Sequence, residues 1–152
     1  MRIKIYTGII IVCAILGILN ASFVYYKDQS GGPLPCFVVS GCDAVQSSPY
    51  SHLFGISLSL WGVGYYVILM IVTICIVNPK SKIQNLKPEI SKYILNGFIL
   101  WVWFGFLFSL YLLVLQFFVI HALCSSCLVS LIDTVIVAAC GTIAWRRIGG
   151  TL

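Results

Sequence analysis

Four long apolar stretches, each bounded by charge or by turn formers, constrain this chain more than any other feature. They run over residues 5–26, 54–77, 93–120 and 123–145. A helix rises ~1.5 Å per residue and the hydrocarbon core of a bilayer is ~30 Å thick, so each stretch is about long enough to cross. Hydrophobic residues make up 61% of the 152 and charged residues 9%, with a mean hydropathy of +1.06. A soluble domain carries roughly 25% charge. Lipid must therefore be the solvent, and the expectation is a single all-α membrane domain, a bundle of four transmembrane helices.

The first stretch follows Arg2 and Lys4, as a cleaved secretory leader would. The one candidate cleavage triplet, Leu19-Asn20-Ala21, lacks small residues at both flanks, so a retained helix is expected. Residues 27–53 form a polar loop rich in turn formers, among them Gly31, Gly32, Pro33 and Pro35, with a short helix expected near Cys42 or Asp43. Residues 78–92 form a second loop, lysine-rich and opened by Asn78-Pro79. Only His121 and Ala122 separate the third and fourth stretches, which implies a tight antiparallel hairpin.

Charge fixes the expected sidedness. Arg2, Lys4, Lys80, Lys82, Lys87, Lys92, Arg146 and Arg147 fall on one side of a four-span topology and only Lys27 on the other. Basic residues accumulate on the cytoplasmic face. Both termini and the 78–92 loop are therefore expected in the cytoplasm of a cell whose inner membrane holds the protein, with the 27–53 loop outside. The same placement argues against nucleic-acid binding, since no basic face is interleaved with exposed aromatics.

Of the seven cysteines, Cys13, Cys75 and Cys140 sit inside apolar stretches and read as small buried hydrophobes. The other four share the outer side. Cys36 and Cys42 lie in the first loop, and Cys124-Ser125-Ser126-Cys127 opens the fourth helix. Outside the cytoplasm, paired thiols tend toward disulfides. A Cys-x-x-Cys at a helix start gains a further property, because free N–H groups and the positive dipole end favour the thiolate that attacks disulfides. Two static disulfides bracing a loop are the inert alternative. No metal is expected, because a four-cysteine zinc site normally uses two closely spaced pairs in a soluble module.

The run Cys42-Asp43-Ala44-Val45-Gln46-Ser47-Ser48-Pro49-Tyr50, the run Phe54-Gly55-Ile56-Ser57-Leu58-Ser59 and the Cys124–Cys127 motif together resemble the vitamin K epoxide reductase family in its bacterial, quinone-linked branch. The order of the pairs is the specific part, since four-helix oxidases of the DsbB type carry their Cys-x-x-Cys in the first outer loop. The resemblance implies a bundle whose outer loop and short helix cap a quinone site. It also implies an electron relay. A thioredoxin-like (DsbA-type) partner would attack the loop disulfide at Cys36. Cys42 would exchange with Cys124, and Cys127 would pass electrons to a quinone, either ubiquinone or menaquinone. Ser48 would orient the loop or the quinone. The implied protein is a membrane thiol:quinone oxidoreductase supporting disulfide formation. The alternatives are vitamin K quinone or epoxide reduction, or a non-catalytic scaffold. Leu131 and Ser51 stand where animal members carry a tyrosine and an asparagine, which argues against the epoxide. Many bacterial members carry a fused thioredoxin-like domain that this sequence lacks, so a separate partner is expected.

Further expectations rest on individual residues and on the aromatics of the third stretch. Asp133, ~13 Å below Cys124 along the helix, is either a proton relay or a structural acid facing Thr134 or another helix. His121 could stabilise the Cys124 thiolate or simply mark the membrane edge, and His52 reads as interfacial. Asp43 is expected to cap the short helix. The aromatics of the third stretch, Trp101 to Phe118, could wall a quinone pocket or face lipid.

Overall fold

A computed structural model describes residues 2–31, 41–77 and 88–149. Helix α1 covers Arg2–Ser30, α2 Cys42–Gln46, α3 Leu58–Val77, α4 Pro88–Leu115 and α5 Ser125–Gly149. Among the described residues, four helices are long and apolar enough to cross a membrane: Lys4–Ser30, Leu58–Val77, Lys92–Ile120 and Ser125–Ile148. Cys36 and most of the 78–92 loop lie outside the described residues.

The helix ends follow local chemistry. α1 runs past the apolar stretch to Ser30 and stops where Gly31 takes a left-handed φ of +62°, the usual glycine stop. α4 starts at Pro88, five residues before Tyr93, because proline is preorganised for the first helical turn and has no N–H to leave orphaned. α3 starts at Leu58, not at residue 54 as the apolar run suggested. Residues 52–57 instead form a hairpin of β1 (His52–Leu53) and β2 (Ile56–Ser57), paired antiparallel with Leu53 opposite Ile56. Its two-residue turn has positive φ at both Phe54 (55°) and Gly55 (79°), the combination a tight hairpin of right-twisted strands requires. α5 starts at Ser125 rather than 123, because Cys124 serves as its cap.

α1 packs along α3 and α5, and α4 along α5, whereas α3 and α4 meet only sparsely. The core joins Ile10, Cys13 and Ala14 of α1 to Leu69, Val102 and Val137, with Cys140 also inside it. Cys75 is only half-buried. Two glycines permit close ring packing: a Cβ at Gly17 would collide with the Tyr66 ring, and one at Gly105 with the Tyr65 ring. At one end of the bundle the Arg147 guanidinium lies 5.4 Å from the Tyr6 ring centre, so the chain's two ends meet there. Cys42 and Cys124 gather at the other end.

α4 does not run straight into the connection. Directly after Leu115 the five residues Gln116–Ile120 widen into a π-helical turn, and His121 follows in the left-handed region (φ 52°, ψ 31°). The Ala122 N–H closes that turn on Gln116 O at 3.2 Å. Such wide turns recur at functional sites. This one aims Gln116 at the start of α5.

Candidate functional site

Cys42 is the first residue of α2 and is 1% exposed; Cys124 caps α5 and is 4% exposed. The two share one buried cluster, with Val24, Val45 and Cys127 packed against it. The glycine before Cys42 makes this approach possible. A Cβ on Gly41 would lie 2.6 Å from Leu123 O and 2.8 Å from Leu123 N, so only glycine lets the loop settle against the backbone leading into Cys124. Cys42 is disulfide-bonded. Cys124 and Cys127 are free thiols, as are Cys13, Cys75 and Cys140.

Cys124 is held as an activated thiol. The Cys127 thiol hydrogen-bonds to its sulfur and brings its pKa from the usual 9.0 down to about 6, while burial pulls the other way. The backbone N–H groups of Cys127 and Ser126 add to the lowering. This is the geometry of a helix cap, with sulfur in place of the usual oxygen. The Asp43 carboxylate opposes it by charge repulsion. Asp43 therefore does not cap α2 as expected. Gly41 is the cap residue, no side chain bonds there, and Asp43 lies within the first turn.

Gln116, 2% exposed, accepts the Cys124 backbone N–H on Oε1 at 3.0 Å, and its side chain also reaches the Cys127 sulfur. His121, the sequence's candidate for that supporting role, is exposed. The signal for Gln116 was available: it is a lone amide inside an apolar run, where polar groups are costly and need a purpose.

Below the cysteines lies a cavity of about 610 Å³, mostly apolar, bordered by Cys124, Cys127 and Gln116. An aromatic ladder forms one wall. Tyr65 stacks on Trp101 (5.6 Å between centres), Trp101 on Phe104 (5.9 Å) and Phe104 on Phe108 (6.1 Å). Trp103, Phe106, Phe117 and Phe118 do not reach the cavity, and Trp103, Phe117 and Phe118 are exposed. The third stretch is thus divided between wall and lipid-facing surface. Ser48 also borders the cavity, its hydroxyl donating to Val45 O at 2.7 Å and finishing α2. The hairpin stands over the same opening, tied down by the Trp61 indole N–H to Leu53 O (3.4 Å). His52 reaches from β1 toward Asp28 of α1 at 4.0 Å. A pocket of this size with few polar groups suits a flat, apolar ligand.

Asp133 is 8% exposed. The Thr134 hydroxyl donates to Leu131 O at 2.9 Å, so it is not the acid's partner, and the Oδ2 of Asp133 has no hydrogen-bond partner among the described residues.

A search of curated proteins returns no significant match. The family model described as the vitamin K epoxide reductase family matches residues 8–142. That span reaches into all four spanning helices and takes in both cysteine pairs and the residues that line the cavity. The chain belongs to the vitamin K epoxide reductase family, membrane oxidoreductases whose disulfide chemistry is linked to a quinone acceptor or its epoxide.

Proposed function

We propose that the protein is a thiol:quinone oxidoreductase that drives disulfide formation outside the cytoplasm. A reduced thioredoxin-like, DsbA-type protein attacks the Cys36–Cys42 disulfide at Cys36, releasing Cys42 as a thiolate and leaving with its own disulfide formed. Cys42 attacks Cys124 of an oxidised Cys124–Cys127 pair, which frees Cys127. Cys36 then resolves the Cys42–Cys124 bond, so the loop pair is oxidised again and the helix pair reduced. That pair re-forms its disulfide by passing two electrons to the quinone, ubiquinone or menaquinone. In sum, one partner dithiol becomes a disulfide and one quinone becomes a hydroquinone.

The observation that carries this reading is the shared burial of Cys42 and Cys124 beside an apolar cavity bordered by Cys124 and Cys127. A mixed disulfide forms only if the sulfurs can meet, and electrons leave for a quinone only if its pocket adjoins the exit pair. Ser48 supports the loop over the cavity. Vitamin K epoxide is the less suited acceptor, because the Ser51 hydroxyl is held between Ser48 O and His52 Nδ1, each at 2.9 Å.

The test mixes purified protein, a quinone and a reduced thioredoxin-like protein, and follows the quinone's absorbance. Wild type bleaches the quinone band and Cys127→Ala does not. Cys42→Ala stops electron flow while leaving Cys124 and Cys127 oxidised. An unchanged band with wild type and Cys127→Ala alike rejects the enzyme. Reduction of the helix pair by the partner in Cys42→Ala rejects the shuttle.

A further inference from the structure

Quinone reduction takes up two electrons and two protons. A Cys124 thiolate and a Cys127 thiol closing to a disulfide release two electrons and only one proton. The second proton must come from another group, and among the described residues lining the cavity the titratable groups besides the two cysteines are Tyr50, Tyr65 and Tyr66.

Asp133 is an acid nine-tenths buried in the middle of α5. Its Oδ2 and the hydroxyls of Tyr65 and Tyr66 are all buried without hydrogen-bond partners among the described residues. Asp133 faces Tyr66 of α3 and Cys13 of α1, with Tyr65 near it on α3 and Cys140 beside Cys13 on α5. Neither lysine nor arginine lines the small pocket of about 190 Å³ that holds it. Tyr66 is also a wall of the main cavity. Asn20 and Ser130 line both spaces. The Asn20 amide donates to Ser130 Oγ at 3.0 Å and to Ser126 O at 3.1 Å, a polar line leading back to the cysteine rim.

A buried carboxyl facing a buried phenol hydroxyl, with a second buried hydroxyl near them, is costly to leave in the bundle interior. Packing alone does not call for them, since leucine and phenylalanine would fill the same space. We propose that Asp133, through the Tyr66 hydroxyl, delivers one of the two protons that the quinone takes up in the main cavity. The proposal rests on the thiol:quinone reading above. Tyr66 Oη gives its proton to a quinone oxygen as Asp133, acting from its acid form, replaces that proton. Cys127 supplies the other. Asp133 then takes back a proton from solvent through the small pocket that it shares with Asn20 and Ser130. Protons and electrons balance with the dithiol as reductant and the quinone as oxidant.

The test uses the full chain with a reduced thioredoxin-like protein and a quinone, comparing wild type, Asp133→Asn, Asp133→Glu, Tyr66→Phe and the Asn/Phe double variant. Thiol trapping reads reduction of Cys124–Cys127 by the partner, and absorbance reads quinone reduction. Trapping is expected at the wild-type rate throughout. Asp133→Asn and Tyr66→Phe each lower kcat roughly a hundredfold with KM for quinone unchanged, the double variant loses no more than the worse single, and Asp133→Glu restores most of the rate. Wild-type kcat in Asp133→Asn or Tyr66→Phe overturns the proposal, as do losses that multiply. Failure of Asp133→Asn already at trapping also overturns it, by showing a structural role. If Asp133→Asn does not fold, Tyr66→Phe decides alone. A wild type that traps normally but bleaches no quinone removes the thiol:quinone reading itself, a separate outcome.

Discussion

Cys124 owes its lowered pKa to three donors that converge on one sulfur, and side-chain substitution reaches the Cys127 thiol among them and the Asp43 charge that opposes them. Cys127→Ala deletes the strongest, so the Cys124 pKa returns toward 9.0. Asp43→Asn deletes the opposing charge, so it falls below about 6. The pH dependence of Cys124 alkylation, with the other cysteines replaced, reads both shifts. The same shift sets a stability slope. A thiol whose folded pKa lies below its unfolded value binds fewer protons when folded between about 6 and 9.0. Its stabilising contribution is full above 9.0 and is lost as pH falls through about 6. The stability difference between the reduced wild type and Cys124→Ser should therefore shrink as pH is lowered across that window; a flat difference contradicts the shift. Gln116→Leu leaves the buried Cys124 N–H without its acceptor, costing ~1–3 kcal/mol. A lowered Tm for that variant, with helix content retained, is the expected result.

At the level of elements, the approach of the loop to α5 depends on Gly41, and the hairpin depends on its turn. Gly41→Ala forces a methyl against the Leu123 backbone, a contact with rigid chain that no side-chain rotation relieves. It should push Cys42 away from Cys124, slowing partner-driven reduction of the helix pair while leaving chemically reduced protein able to bleach quinone. Equal rates in the two assays contradict that. Phe54 holds a left-handed φ of 55° while 89% exposed, a conformation that costs a side chain such as phenylalanine ~1–2 kcal/mol. Phe54→Asn suits the turn better and should slow hydrogen exchange at Leu53 and Ile56. Neither feature was legible beforehand. Phe54-Gly55-Ile56 continues an apolar run and reads as the start of a helix. The constraint on Gly41 comes from Leu123, more than eighty residues away.

Across the whole molecule, the four spans were legible because lipid demands unbroken apolar runs, and four such runs leave little freedom of architecture. The cysteine assignments came from pair order and resemblance, since spacing alone also fits static disulfides. Asp133 stood out as an acid in an apolar helix, but its surroundings are set by Tyr66 and Cys13 from other helices. Gln116 could have been found by the same logic and was hidden among its aromatic neighbours. The cation distribution makes one global prediction: a reporter fused after Leu152 should be active only in its cytoplasmic form. Activity in the exported form would reverse the proposed topology.

The sparse meeting of α3 and α4 has a consequence of its own. Trp61, Ile68 and Phe104 border the cavity from those two helices while remaining exposed, and on spanning helices the medium they face is the acyl chains. An acceptor entering there comes sideways out of the bilayer and never has to dissolve in water. The dose that governs turnover is then its mole fraction among lipids. Diluting the protein with extra lipid or detergent at constant total quinone should slow it as effectively as taking quinone away.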